Sequence, residues 1–237
     1  MIHRVRAVNE PGSANRVHDD EFARRLGFRA GLVPGATVYG YMAVLPERRW
    51  GEAWPTGGTM SARFLKPFYD GEEVAVSAVE SEDGLELEAR NPEGEVCATG
   101  HAAAAAAGAA PPAGRYLRLE LPAERRQPAF TEGEALGTLS GTLTLEPAWP
   151  ARLGNAVLVA NVDLPPWIHV ETRTRHLAAV RDGEPVEVRA LVAGLWERRG
   201  HRFVDLDVLV LGGAGEPAAQ LRHVAIYELA QLRGGDQ

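Results

Sequence analysis

At 237 residues the chain can bury a sizeable core, either as one large domain or as two small ones. Its formal charge of -7 at pH 7, with Lys and Arg interspersed among the acids, excludes an extended nucleic-acid or anionic-membrane surface and leaves phosphate-bearing small ligands open. No apolar run reaches the length of a bilayer span, and the opening Met-Ile-His-Arg-Val-Arg lacks the apolar core of a signal peptide. The expectation is a cytoplasmic protein.

The first informative stretch runs from Asn15 through His18 to Phe28. Asp19 or Asp20 can cap a helix over Glu21 to Leu26 that Gly27 ends. After Gly31-Leu-Val-Pro-Gly35, a second helix is expected over Gly35 to Leu45, its small and aromatic residues suited to burial. One imidazole thus precedes a short helix, and a glycine-led helix with unpaired first-turn N–H groups follows. A neutral imidazole can carry a proton at physiological pH, and such N–H groups can polarise a thioester carbonyl.

Strands are expected at Glu73 to Val79, Leu85 to Arg90 and Glu95 to Ala102. Cys97, the single cysteine, falls in the last of these and is expected to be a packed thiol in a reducing compartment. The small-residue run from Ala102 to Ala107 marks a boundary: residues 1–107 form one domain, 108–120 a linker and 121–237 a second domain. In the second half a helix is expected over Trp149 to Val162, then strands at Val186 to Ala193, Phe203 to Val210 and Ala218 to Glu228. Asp70-Gly-Glu-Glu-Val-Ala-Val76 recurs as Asp182-Gly-Glu-Pro-Val-Glu-Val188, each an Asp-Gly turn feeding a strand. Gly94-Glu95 before His101-Ala102 recurs as Gly215-Glu216 before His223-Val224-Ala225. Two matches in one order point to two similar α+β units, each a sheet wrapping a helix.

Other candidates follow from spacing. His169 and Glu171, two apart at a strand entry after Pro165-Pro166-Trp167, share a face if the strand is regular. His101 and His223 hold equivalent repeat positions, which suits a shared structural role, and His3 and His201 have no constellation. No metal-ligand spacing, glycine-rich phosphate loop or nucleophile elbow is present, so no metal is expected.

The run from Ser13 to Met42, with Asn15 and His18, the Ala-x-x-x-Gly27-Phe28 helix and the apolar turn at Gly35, resembles the MaoC-like hydratases of the hotdog fold, which include the (R)-specific enoyl-CoA hydratases. Arg63-Phe64-Leu65-Lys66-Pro67-Phe68 and Asp70-Gly71-Glu72 are similar to that family's strand entry. The resemblance implies a double hotdog acting on an enoyl or 3-hydroxyacyl thioester, with coenzyme A or acyl carrier protein as carrier and no further cofactor. It places His18 as acid/base, Asn15 on the substrate and the Gly35 N–H on the carbonyl, with Val33, Tyr39 and Arg63 completing the substrate contacts. Lys66 joins Arg63 as a candidate for carrier phosphates. Two positions depart from the pattern: Ser13 stands where the family has its catalytic aspartate, and Arg16 replaces its proline. Glu10 or the second half is a candidate source of a replacement group, while Asp19 and Asp20 are assigned to helix capping. Losing the carboxylate keeps two other readings open, a hotdog thioesterase and a non-catalytic acyl-binding or assembly subunit. Monomer and homodimer are both open, because the second half can cover the first within one chain.

Overall fold

The computed structural model describes residues 1–10, 13–105 and 109–233. Strand β1 (Ile2–Arg6) is followed by a 3₁₀ turn at Arg16–His18, helix α1 (Asp20–Arg25), helix α2 (Gly35–Trp50) and a second 3₁₀ turn at Gly51–Thr56. Then come β2 (Thr59–Phe64), β3 (Glu73–Ser81), β4 (Gly84–Arg90) and β5 (Val96–Ala103). The second half repeats this order as β6 (Leu139–Thr142), α3 (Trp149–Asn161), β7 (Ile168–His176), β8 (Pro185–Arg198), β9 (His201–Leu211) and β10 (Pro217–Glu228), with a terminal α4 (Ala230–Arg233). Among the described residues no helix is long and apolar enough to cross a membrane.

One ten-stranded sheet runs β1-β3-β4-β5-β2-β7-β10-β9-β8-β6. Its centre is the antiparallel ladder of β2 on β7, from Thr59↔Arg175 to Arg63↔Glu171. Outward from that ladder each half lays its strands in the same order, so the two halves are related by a pseudo-two-fold axis.

The repeated Asp-Gly-Glu motif has the same task in both halves. Gly71 and Gly183 adopt φ of 77° and 76°, the left-handed conformation that glycine takes without a Cβ penalty. Asp70 Oδ1 accepts from the Asn9 N–H, and Asp182 Oδ1 from the Leu145 N–H, both at 2.9 Å. The Gly71 N–H donates to the Ala7 carbonyl and the Gly183 N–H to that of Leu143, again both at 2.9 Å. Each turn therefore clasps the chain leaving the outermost strand of its half.

Alternation along the strands decides the core. Val74, Val76, Leu85, Leu87 and Ala89 close on Val38, Tyr39, Met42 and Leu45 of α2. Val186, Val188, Val192, Val204 and Leu206 close on Val157 and Leu158 of α3. The helices meet where α2 carries Gly40, at which a Cβ would lie 3.0 Å from the Ala148 methyl. Cys97 is buried in β5, where burial pushes its thiol above the ordinary range. This is the double hotdog that the sequence leads one to expect. Helix α2 runs beyond Leu45 to Trp50, with Leu45 and Pro46 buried, although Pro46 has no N–H for the ladder. Of the expected linker, residue 108 lies outside the described residues, as do Ala106 and Ala107 of the alanine run. Further on, Tyr116 is buried against the second half, its hydroxyl donating to Asp207 at 2.8 Å.

At the far end of the β2–β7 ladder, His176 is buried between Trp54 and Trp149, with ring centroids at 4.8 and 5.8 Å. Among the described residues neither of its ring nitrogens has a hydrogen-bond partner, and burial lowers its pKa to about 4; burial likewise lowers that of His223 to about 3. The unfolded chain binds these protons near pH 6.5 and the folded chain only below that, so stability is complete above about pH 6.5 and falls as pH drops through this window. For His176 alone the loss on reaching pH 4 is on the order of 3 kcal/mol. Denaturant titrations at pH 7 and 4.5 should show a shallower acid loss for His176→Phe than for the parent chain; equal losses would refute this account.

Candidate functional site

At the other end of the same ladder lies a cavity of about 540 Å³. The first half contributes His18, Leu32, Val33, Gly35, Val38, Phe64 and Phe68; the second contributes Asn155, Trp167, His169, Phe203 and Ile226. No aspartate or glutamate lines it among the described residues.

The loop around His18 is built by backbone bonds. Asn15 caps the 3₁₀ turn, and the Leu32 N–H donates to the Val17 carbonyl at 3.0 Å. His18 Nδ1 lies 2.6 Å from the Leu32 carbonyl, so Nδ1 carries the proton and Nε2 is left as the basic nitrogen. Burial pushes the His18 pKa below its ordinary value, partly opposed by the Leu32 carbonyl and the charge of Glu10. The ring is therefore neutral at pH 7 and able to accept a proton.

Helix α2 begins at Gly35 with no side-chain cap; the Val38 N–H donates to the Pro34 carbonyl at 3.1 Å, and among the described residues the N–H groups of Gly35, Ala36 and Thr37 have neither a helical nor a side-chain partner. Gly35 is required by its neighbours: a Cβ there would lie 2.9 Å from His169 Nδ1 and 3.0 Å from Phe64. These N–H groups carry the positive end of the helix dipole to the cavity wall.

Of the residues expected to contact substrate, His18, Asn15, Gly35, Val33 and Arg63 line the cavity. The amide of Asn15 is already engaged, donating to the Trp167 carbonyl at 2.9 Å and accepting from the Trp167 N–H at 3.3 Å, so it ties the His18 loop to the second half. Tyr39 is not among the lining residues; it is fully buried in the core and shares a 2.9 Å hydrogen bond with Thr174 Oγ1 of β7. Ser13 is exposed and donates to the Asn15 carbonyl at 3.2 Å. Glu10, a candidate replacement for the missing carboxylate, pairs with Arg152 at 3.0 Å outside the cavity. Asp19 caps α1 through the Phe22 N–H at 2.8 Å.

His169 and Glu171 do not share a face. The β7–β10 register shifts between Ala225↔His169 and Val224↔Glu171, and this bulge turns His169 inward with Thr172. Glu171 instead pairs with Arg173. His101 and His223 also part: His223 is fully buried, whereas His101 is partly exposed with Nε2 3.9 Å from Glu86. His201 lines the cavity and accepts from the Ala230 N–H at 3.1 Å. The sequence reading missed Asn155, whose Oδ1 is buried without a partner among the described residues; one of two amides in the largely apolar α3, it left no other trace. It also missed Arg198 and Arg199, exposed residues of the β8–β9 turn that join exposed Arg63 and Lys66 on the cavity lining. Lys66 reaches Glu95 at 2.6 Å. Among the described residues no cluster of His, Cys, Asp and Glu could hold a metal ion.

No family model and no curated protein matches the chain. Solved structures do. The chain is similar to the dehydratase domain from the CurJ module of curacin polyketide synthase, with TM-score 0.61 and 10% identity over 98% of this chain and 92% of that one. It is similar to the dehydratase domain of PpsC from Mycobacterium tuberculosis in complex with C12:1-CoA, with TM-score 0.58 and 12% identity over 96% and 93%. It is also similar to an acyl-CoA thioesterase II, TesB2, from Mycobacterium marinum, with TM-score 0.55 and 14% identity over 81% and 88%. At such identities the likeness is one of fold, and the fold is the hotdog.

Proposed function

We propose that this chain acts on an acyl thioester, adding water across the α,β double bond or removing it, with His18 as the proton carrier. The observation that carries this reading is that the free Nε2 of His18 and the unpartnered amides of α2 belong to one largely apolar cavity. A thioester carbonyl at those amides is polarised, which makes the β carbon of an enoyl group electrophilic and the α proton of a 3-hydroxyacyl group acidic. In hydration, His18 Nε2 takes one proton from water as the oxygen adds to the β carbon, then delivers it to the α carbon. In dehydration it takes the α proton and returns it to the departing hydroxyl. One imidazole can serve both steps, and Ser13 need not replace a carboxylate. Phe28, Phe64 and Phe68 suit an acyl chain, while Arg63, Lys66, Arg198 and Arg199 suit the phosphates of a coenzyme A or acyl-carrier arm.

Hydrolysis is the second reading, favoured by the absence of lining carboxylates among the described residues. A thiolate is a far weaker base than hydroxide and leaves without a strong acid, so His18 need only activate water against the polarised carbonyl.

Incubation with crotonyl and longer enoyl thioesters separates these outcomes: loss of enoyl absorbance reports hydration, free thiol reports hydrolysis, and neither signal leaves a binding module. His18→Gln should lower the rate by about a hundredfold or more, and unchanged turnover would sink the assignment. Because burial lowers the His18 pKa, kcat/KM should be flat at neutral pH and fall on the acid side with a midpoint below its ordinary value of 6.5. A midpoint above that value would count against His18. Gly35→Ala drives a methyl against His169 and Phe64 and should cost about 1–3 kcal/mol by thermal or denaturant unfolding, with loss of turnover. A stable, fully active Gly35→Ala chain would contradict the geometry.

A further inference from the structure

The β8–β9 hairpin sorts its charges. On one face Glu197 and Glu228 are both taken up by Arg202 and Arg233, at 2.9 to 3.7 Å. Strand neighbours face opposite ways, so Trp196 and Arg198 lie on the other face, Trp196 paired with Phe203 and Arg198 with His201. That face borders the cavity, which Arg198, Arg199 and Phe203 line together with Arg63 of β2. Among the described residues the guanidinium groups of Arg63, Arg198 and Arg199 have no ion pair or hydrogen bond, in a chain whose formal charge is -7. Trp196 stacks on Phe203 with centroids 5.2 Å apart and planes 10° apart, yet it stays 42% exposed. An exposed indole beside unpaired arginines complements a planar base that carries phosphates.

The backbone of the turn adds a second observation. Arg199 and Gly200 join the paired Arg198 and His201 with φ of 52° and 78°. A two-residue turn with positive φ at both positions is met most readily by asparagine, aspartate or glycine at the first. Arg199 is the one non-glycine residue with positive φ among the described residues. Its Cβ strains the turn, and what it brings in return is an unpaired cation on the cavity lining.

We propose that the β8–β9 turn seats the nucleotide end of coenzyme A, with the adenine on the exposed indole of Trp196 and the phosphates on Arg198, Arg199 and Arg63. The proposal rests on the acyl-thioester reading above for its ligand. It selects coenzyme A over a carrier protein, whose phosphopantetheine arm has one phosphate and no base. Three phosphate groups meet three unpaired guanidinium groups, each able to bind in the bidentate way. The pantetheine arm then runs past Phe203 and Ile226 toward the amides of α2, all of them on the same cavity lining.

Calorimetry on the full chain at low ionic strength should show adenosine 3′,5′-bisphosphate binding by itself and being displaced by coenzyme A. Trp196→Ala should weaken both about tenfold, and Trp196→Phe, which keeps a ring, should recover most of that loss. Arg199→Asn should also weaken both about tenfold, yet raise the thermal midpoint by about 2 °C, because asparagine suits the turn. Between crotonyl thioesters, the parent chain should favour the coenzyme A ester over the pantetheine ester about a hundredfold in kcat/KM, and Trp196→Ala should cut that preference about tenfold. No binding of the bisphosphate, an affinity indifferent to Trp196→Ala, or equal kcat/KM for the two esters would overturn the proposal. Bisphosphate bound through Trp196 without any thioester turnover would defeat the acyl-thioester reading and leave the nucleotide seat standing. Turnover of both esters with an indifferent Trp196 would defeat the seat alone.

Discussion

The ladder between β2 and β7 joins two half-sheets that would each otherwise expose a strand edge. Its inward-facing residues, Met60 and Ala62 on one strand and Thr172 and Thr174 on the other, are buried. Tyr39 reaches across it from α2 to Thr174, and Asn15 clamps the His18 loop to Trp167. The cavity walls come from both halves, so its shape depends on this register. A slip of one residue would carry His169 and Thr172 to the opposite face.

The repeat was legible because an Asp-Gly turn has a specific backbone requirement, met twice by glycines with positive φ. Alternating valines revealed the long strands for the same kind of reason. The edge strands β1 and β6 were not legible: β1 is largely exposed and mixed in polarity, and β6 is short and polar. At the site, His18 and Gly35 stood out through sequence neighbours that also prove to be spatial neighbours. Tyr39 was expected as a substrate contact only through the family resemblance, and its position on α2 directs it at the second half's sheet instead. The orientation of His169 depends on a bulge against β10, and that pairing partner lies far along the chain.

Chemically, the cavity combines neutral imidazoles, amides and helix N–H groups with an apolar shell, carries the cations Arg63, Lys66, Arg198 and Arg199 on its lining, and among the described residues keeps carboxylates outside it. In low dielectric, a neutral imidazole is cheaper to bury than an anion, and burial lowers its basicity. Glu10 illustrates the alternative: held outside the cavity by Arg152, its charge partly offsets through space the lowering of the His18 pKa by burial.

The pseudo-two-fold axis relates the cavity to the far end of the ladder, where Trp54, Trp149 and His176 fill the space with rings. A molecule with internal symmetry thus has unequal ends, one hollow and one solid. Under the function proposed above, that inequality means a single acyl group per polypeptide, with the ring-packed end left to rigidity rather than turnover.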